Sequence, residues 1–204
     1  QMSWRKGFNV LVKCFNKIKQ KHKNIHLIIV SKNLKSSSSS SSTDIINSMG
    51  DNKNIHIISR NIQERIMPSI YRSCDCYVAS SLGEGIGLPC LESSLCGLPV
   101  ISTNCSGQTD FLTKDNSMLC DVKNYIVANR DQGENHYWTG ELFPDIDNNE
   151  FMNRFTDLME YAILNKQKTI EKNKILQKYI IQNYSILNNK DAPNRIKKIQ
   201  EDTK

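Results

Sequence analysis

EGIGLPCLESSLCGLPV, residues 84–100, decides the fold, because it sets two carboxylates around a glycine-rich turn that opens directly into a short helix. Gly85 and Gly87 let the backbone come close to a ligand, Pro89 suits a first helical turn, and Gly97 suits the position just past a helix end. The pattern predicts a helix from about Leu88 to Cys96. Its first turn leaves amide N–H groups without intrahelical partners, and the aligned peptide dipoles add partial positive charge, which suits a diphosphate. Glu84 precedes this anion site. Glu92 follows one turn inside the helix, where a carboxylate can accept hydrogen bonds from both hydroxyls of a vicinal diol such as a ribose. A diphosphate next to a ribose is the chemistry of a nucleotide sugar.

Outward from this stretch, helical and strand periods alternate. Phe8, Leu11, Val12, Phe15 and Ile18 recur at helical spacing and predict an amphipathic helix from about Arg5 to His22, followed by a strand around Ile25 to Val30. Lys35 to Asp44 encloses the run Ser36 to Ser42, a low-complexity composition read as a flexible insertion without chemistry. A strand near Ile55 to Ser59, a helix around Gln63 to Ser73 and a buried strand at Asp75 to Ala79 lead into the glutamate stretch. Beyond it the pattern predicts a strand at Pro99 to Ser102, a turn and short helix at Ser106 to Leu112, and a strand at Met118 to Val122. From Val122 to Asp147 the pattern weakens, and Tyr137, Trp138, Leu142 and Phe143 are read as a loop covering an apolar surface. Phe151, Phe155, Leu158 and Ala162 restore helical spacing, and a second helix is expected at about Ile170 to Asn183. Such alternation predicts an α/β fold, a Rossmann-like parallel sheet with helices on both faces plus C-terminal helices.

The two glutamates with seven residues between them resemble the signature of retaining GT-B glycosyltransferases, most closely glycosyltransferase family 4, of group 1. SWRKGFNVLVKCFNKIKQKHKNIHLIIV resembles that family's phosphate-binding Lys-Gly segment with its helix and strand. IYRSCDCYVASSLGEG resembles the helix, strand and loop leading into the glutamates, and NCSGQTDFL the turn after the next strand. The resemblance covers roughly Ser3 to Asp121 in the family's order. It implies the C-terminal, donor-binding half of a GT-B fold, with residues 1–165 as the nucleotide-sugar-binding domain and 166–204 as a basic helical extension. The family's donor domain opens with a strand, often with an arginine, before the Lys-Gly segment. This chain reaches Lys6 almost at once, so a sheet position is expected to stand open.

The resemblance also implies roles. Lys6 would place its ammonium on the donor diphosphate as the leaving group gains charge, and Glu84 would face the donor sugar, orienting hydroxyls rather than acting as a nucleophile. These two are the expected catalytic residues. Donor binding is expected from Arg5, Lys6, Glu84, Gly85, Ile86, Gly87, Leu88 and Glu92, the Gly85 to Leu88 stretch through backbone amides. Arg5 is adjacent to Lys6 but does not occupy the place of the family's arginine. Arg60, Asn61 and Gln63 follow the strand that ends near the base in this fold. The implied reaction transfers a hexose from a UDP- or GDP-sugar to a carbohydrate or lipid acceptor with retention, without metal or other cofactor. An N-terminal acceptor domain or partner chain would complete it. A competing reading is an inert or partner-dependent nucleotide-sugar-binding module lacking the acceptor domain. An NAD-linked oxidoreductase is disfavoured, because Gly83, Gly85 and Gly87 are spaced G-x-G-x-G and not as the dinucleotide fingerprint.

Composition bounds the rest. The 204 residues carry a net charge of +6, and residues 166–204 hold ten Lys or Arg against four Asp or Glu, whereas the remainder balances. That basic tail is a solvated helical face or a contact for an acidic membrane surface. Few aromatics and no interleaving with basic residues argue against nucleic acid. Seven scattered cysteines read as reduced packing residues, with Cys74 and Cys76 on one face of a strand. His22, His26, His56 and His136 lack the spacing of a metal site or triad and are read as surface or strand-packing residues. With no apolar run of membrane-spanning length, a cytoplasmic protein is expected.

Overall fold

The computed structural model describes residues 4–31, 53–128 and 139–184. The serine run, Tyr137, Trp138, His136 and the chain beyond Tyr184 lie outside the described residues. A 3-10 turn at Trp4–Lys6 leads into α1 (Phe8–Lys21), β1 (Leu27–Val30) and β2 (Ile55–Ile58). A second 3-10 turn, Glu64–Ile66, precedes α2 (Met67–Arg72), β3 (Tyr77–Ala79), α3 (Leu88–Leu95) and β4 (Val100–Asn104). The 3-10 segment Ser106–Asp110, β5 (Met118–Asp121), β6 (Tyr125–Val127), β7 (Leu142–Pro144), α4 (Asn149–Leu164) and α5 (Lys166–Tyr184) complete the order.

The core strands are parallel, as the alternation predicts. β1 pairs with β2, and β3 with β4 and β5 in turn, but among the described residues no ladder joins the first pair to the other three. Strand parity divides the core between two faces. Val78, Ile101, Met118 and Cys120 pack with α1 and α4 on one side, while Tyr77, Ala79, Val100 and Leu119 pack with α3 and α5 on the other. Helices on both faces are thus a direct consequence of residues alternating along short strands.

Two expectations need correction. The described residues of the weak stretch after Val122 are not all loop: β6 and β7 form an antiparallel ladder, Tyr125 opposite Pro144 and Val127 opposite Leu142. Three-residue strands, one exposed throughout and the other with its neighbours Phe143 and Pro144 both buried, carry no period-2 burial signal to read. Phe143 does cover an apolar surface, meeting the Trp4 ring edge-on at 5.1 Å. Cys74 and Cys76 precede β3 instead of lying on it, and their thiols are spent on the carbonyls of Ile70 and Pro99.

The C-terminal helices hold the rest in place. Asn148 caps α4 by accepting a hydrogen bond from the Phe151 amide at 2.9 Å, so α4 starts where its apolar face begins. α5 buries Leu176 at 0 % and Ile180 at 3 % exposure against α3. Its Asn173 makes a reciprocal pair with Ser94: the Ser94 hydroxyl donates to Asn173 Oδ1 at 2.8 Å, and Asn173 Nδ2 donates to the Ser94 carbonyl at 3.2 Å. The basic tail therefore contributes apolar and polar anchors to the helix that carries Glu92.

Candidate donor site

The site is assembled from three turns. The first is Arg5-Lys6-Gly7, where Gly7 adopts φ 63 and a Cβ would fall 2.0 Å from the Ser80 carbonyl oxygen. Only glycine satisfies both the left-handed backbone and that approach. The turn is stitched to the end of β3: the Leu82 amide donates to the Arg5 carbonyl at 2.8 Å, and the Ser80 hydroxyl donates to the Gly7 carbonyl at 2.9 Å. Seventy-odd residues of sequence separation are closed in this way, bringing Lys6 to Glu84.

The second turn is Gly83 to Gly87, and the third, Cys105 to Gln108, buttresses it. Ser106, with φ 57, accepts a hydrogen bond from the Glu84 amide at 3.0 Å, and the Gly107 amide donates to the Glu84 carbonyl at 3.1 Å. A Cβ on Gly107 would lie 1.7 Å from the Gly85 oxygen, so the two loops touch through backbone alone. Gln108 is fully buried beneath Gly87, its amide nitrogen donating to Ser102 and to the Thr103 carbonyl at 2.9 Å each. Sequence reasoning gave this turn no role. Its signal was present in Ser106-Gly107, but what it supports is visible only in three dimensions.

At the centre sits the Glu84 carboxylate. Oε1 accepts from Lys6 Nζ at 2.6 Å and from the Ser81 hydroxyl at 2.7 Å, and Oε2 lies 3.6 Å from an Arg5 guanidinium nitrogen. Arg5 also donates to the Gly83 carbonyl. Burial alone pushes the Glu84 carboxyl up, but the hydrogen bonds from Lys6 and Ser81 and the Lys6 and Arg5 charges outweigh it and hold the group below the usual carboxylate range. Two cations against one carboxylate leave a positive cluster facing the N-terminus of α3. The open recess there is lined by Lys6, Phe8, Glu84, Gly87, Pro89 and Gln108.

The structure brings Arg5, Lys6, Glu84 and Gly87 together around the Glu84 carboxylate and the N-terminus of α3. Ile86 and Leu88 are more than half exposed. Glu92 lies on the exposed flank of α3, outside the lining of the recess, with Oε2 accepting from Tyr71 Oη at 3.0 Å. Arg60, Asn61 and Gln63 are exposed in the segment between β2 and the second 3-10 turn. His22 pairs with Glu160, while His26 and His56 stack on each other, their rings hydrogen-bonded at 2.9 Å across β1 and β2. Among the described residues no three His, Cys, Asp or Glu side chains gather as metal ligands, and no helix is long and apolar enough to cross a membrane.

Comparison with known proteins decides the family. The sequence profile of the family described as glycosyl transferases group 1 matches residues 1–177. This chain belongs to the group 1 glycosyltransferases. No curated protein matches it. Among solved structures, the fold is shared with the C-terminal domain of a group 1 family glycosyltransferase, LpcC, from Francisella tularensis, at TM-score 0.65 and 17% identity, covering 91% of this chain and 83% of that one. HepE of Anabaena in complex with UDP-glucose matches at TM-score 0.67 and 17% identity over 97% of this chain and 47% of that one. A GtfA/B complex matches at TM-score 0.69 and 18% identity over 98% and 35%. This group 1 glycosyltransferase chain therefore spans under half the length of the latter two, while spanning most of the isolated LpcC domain. The fold is that of the C-terminal domain of a GT-B enzyme.

Proposed function

We propose that this chain is the donor-binding part of a retaining hexosyltransferase, closest to glycosyltransferase family 4, that uses a UDP- or GDP-sugar. The observation that carries the reading is the cluster of Lys6, Arg5, Ser81 and Glu84 at the N-terminus of α3, one helical turn from Glu92. In this reading the diphosphate sits at the α3 amides, and Lys6 and Arg5 offset the charge that develops as the nucleoside diphosphate leaves. Glu84, its Oε1 engaged by Lys6 and Ser81 and its Oε2 3.6 Å from Arg5, accepts hydroxyls of the donor sugar and is not a free nucleophile. Glu92 takes the ribose diol. HepE, crystallised with UDP-glucose, supports the donor class by analogy of fold.

The recess is one wall of a cleft. A second domain, in the same polypeptide or in a partner chain, would supply the wall that binds a carbohydrate or lipid acceptor. We place the reaction in the cytoplasm, with the basic helical extension from residue 166 available to a partner or a membrane surface. The inert-module alternative is not favoured, since both glutamates and Lys6 are present and held in place. The test is a thermal-shift panel of nucleoside diphosphates and their sugars, followed by proton NMR of the transfer product made with the acceptor domain supplied. Stabilisation by a UDP- or GDP-sugar and an unchanged anomeric coupling are expected. An inverted product would refute retention, and no response to any nucleotide would refute the donor site.

A further inference from the structure

Glu92 raises a problem that its surroundings answer. A glutamate on the exposed flank of a helix has several rotamers, and a carboxylate that must meet two hydroxyls at once loses affinity with each rotamer it samples. Here one oxygen is tied down. Tyr71, at the end of α2 and only 8 % exposed, donates its hydroxyl to Glu92 Oε2 at 3.0 Å. The phenol is itself held, its ring meeting Tyr77 of β3 edge-on at 6.0 Å. Burial, then the Glu92 charge and the hydrogen bond to it, push the Tyr71 hydroxyl well above its ordinary range, so it remains a proton donor throughout the neutral range.

We propose that Tyr71 is a positioning residue for nucleotide recognition: by occupying Oε2 it orients the Glu92 carboxylate and presents the remaining acceptor positions to the ribose hydroxyls. The inference rests on the reading of Glu92 as the ribose ligand. It makes ribose selectivity depend on a residue of α2, 21 positions away in the chain, with no contact of its own to the diol. A tether of this kind acts on the diol alone. Tyr71 removes none of the diphosphate's partners, which lie at Lys6, Arg5 and α3.

The test is titration calorimetry of the wild-type chain, Y71F, E92Q and the double variant with UDP, GDP and ADP and with their 2′,3′-dideoxy analogues. The ratio of the two affinities isolates the diol from everything else in the pocket. In the wild type the ribonucleotide binds more tightly, and E92Q abolishes that preference. Y71F cuts it on the order of fivefold while leaving the dideoxy affinity unchanged, and the double variant matches E92Q. A Y71F protein that keeps the wild-type ratio, or loses affinity equally for both analogues, overturns the role of Tyr71. An E92Q protein that keeps the ratio overturns the reading of Glu92 instead, and a wild type that binds none of the three diphosphates overturns the donor site on which both readings rest. A second measurement needs no variant. The 13Cζ resonance of Tyr71 in labelled wild-type protein shifts on saturation with the ribonucleotide and not with its dideoxy analogue, and a resonance unmoved by either, or moved equally by both, overturns the proposal.

Discussion

Each glutamate of the pair has a different environment, and the difference sets what each variant does. Glu92→Gln replaces a charged acceptor by an amide on an exposed flank, and is expected to weaken nucleoside diphosphate binding by about 1.5–3 kcal/mol in calorimetry while the fold persists. Glu84→Gln instead spares the free diphosphate and reduces the extra affinity contributed by the sugar. Equal losses for nucleotide and nucleotide sugar would contradict that division. pH separates them further. The folded-state pKa of Glu84 lies below its ordinary value of 4.5, so its charge contributes stability that is present above 4.5 and lost as pH falls through the folded-state value. Melting temperatures of wild type and E84Q, measured from pH 6 downward, should therefore converge in acid, and curves that run parallel would show that the Lys6 and Ser81 contacts do not depend on ionisation.

At the scale of elements, the site depends on contacts made by backbone and by a helix distant in sequence. Gly7→Ala places a Cβ against the Ser80 carbonyl in a left-handed turn, and should destabilise the chain on the order of 3 kcal/mol, read as a lowered urea midpoint. Donor binding should fall with it, because the same turn carries Lys6. α5 acts on α3 from the opposite face. Leu176→Ala removes a fully buried side chain between them and is expected to cost roughly 2–5 kcal/mol. An unfolding curve unchanged by Leu176→Ala would mean that α5 is dispensable to the core. The β6–β7 ladder shows the limit of pattern reading, since strands of only three residues are stabilised by their pairing and by Phe143 on Trp4, neither of which has a period.

For the whole molecule, the consequence is a division of labour between binding and transfer. The described residues offer a positive recess and an exposed carboxylate on one wall, which in the proposed reading hold a nucleotide but do not exclude water or place an acceptor. The chain as given is expected to bind its donor and to show no sugar transfer until the acceptor domain is supplied, measured with radiolabelled nucleotide sugars and a panel of acceptors. Robust transfer by this chain alone would show that the acceptor wall lies within these 204 residues.

What the sequence determined by itself was the alternation of strands and helices and the identity of the charged groups. Both are local: apolar period, a Lys-Gly pair and two glutamates with seven residues between them can be read without knowing what lies across the fold. Tertiary structure decided the partnerships. Lys6 meets Glu84 because Gly7 can press against Ser80, and Glu84 keeps its loop because Gly107 can press against Gly85. Glu92 Oε2 meets the Tyr71 hydroxyl because the last turn of α2 lies beside α3. None of these contacts leaves a period or a motif in the chain, since each depends on close approach between segments whose separation in sequence carries no information about their separation in space.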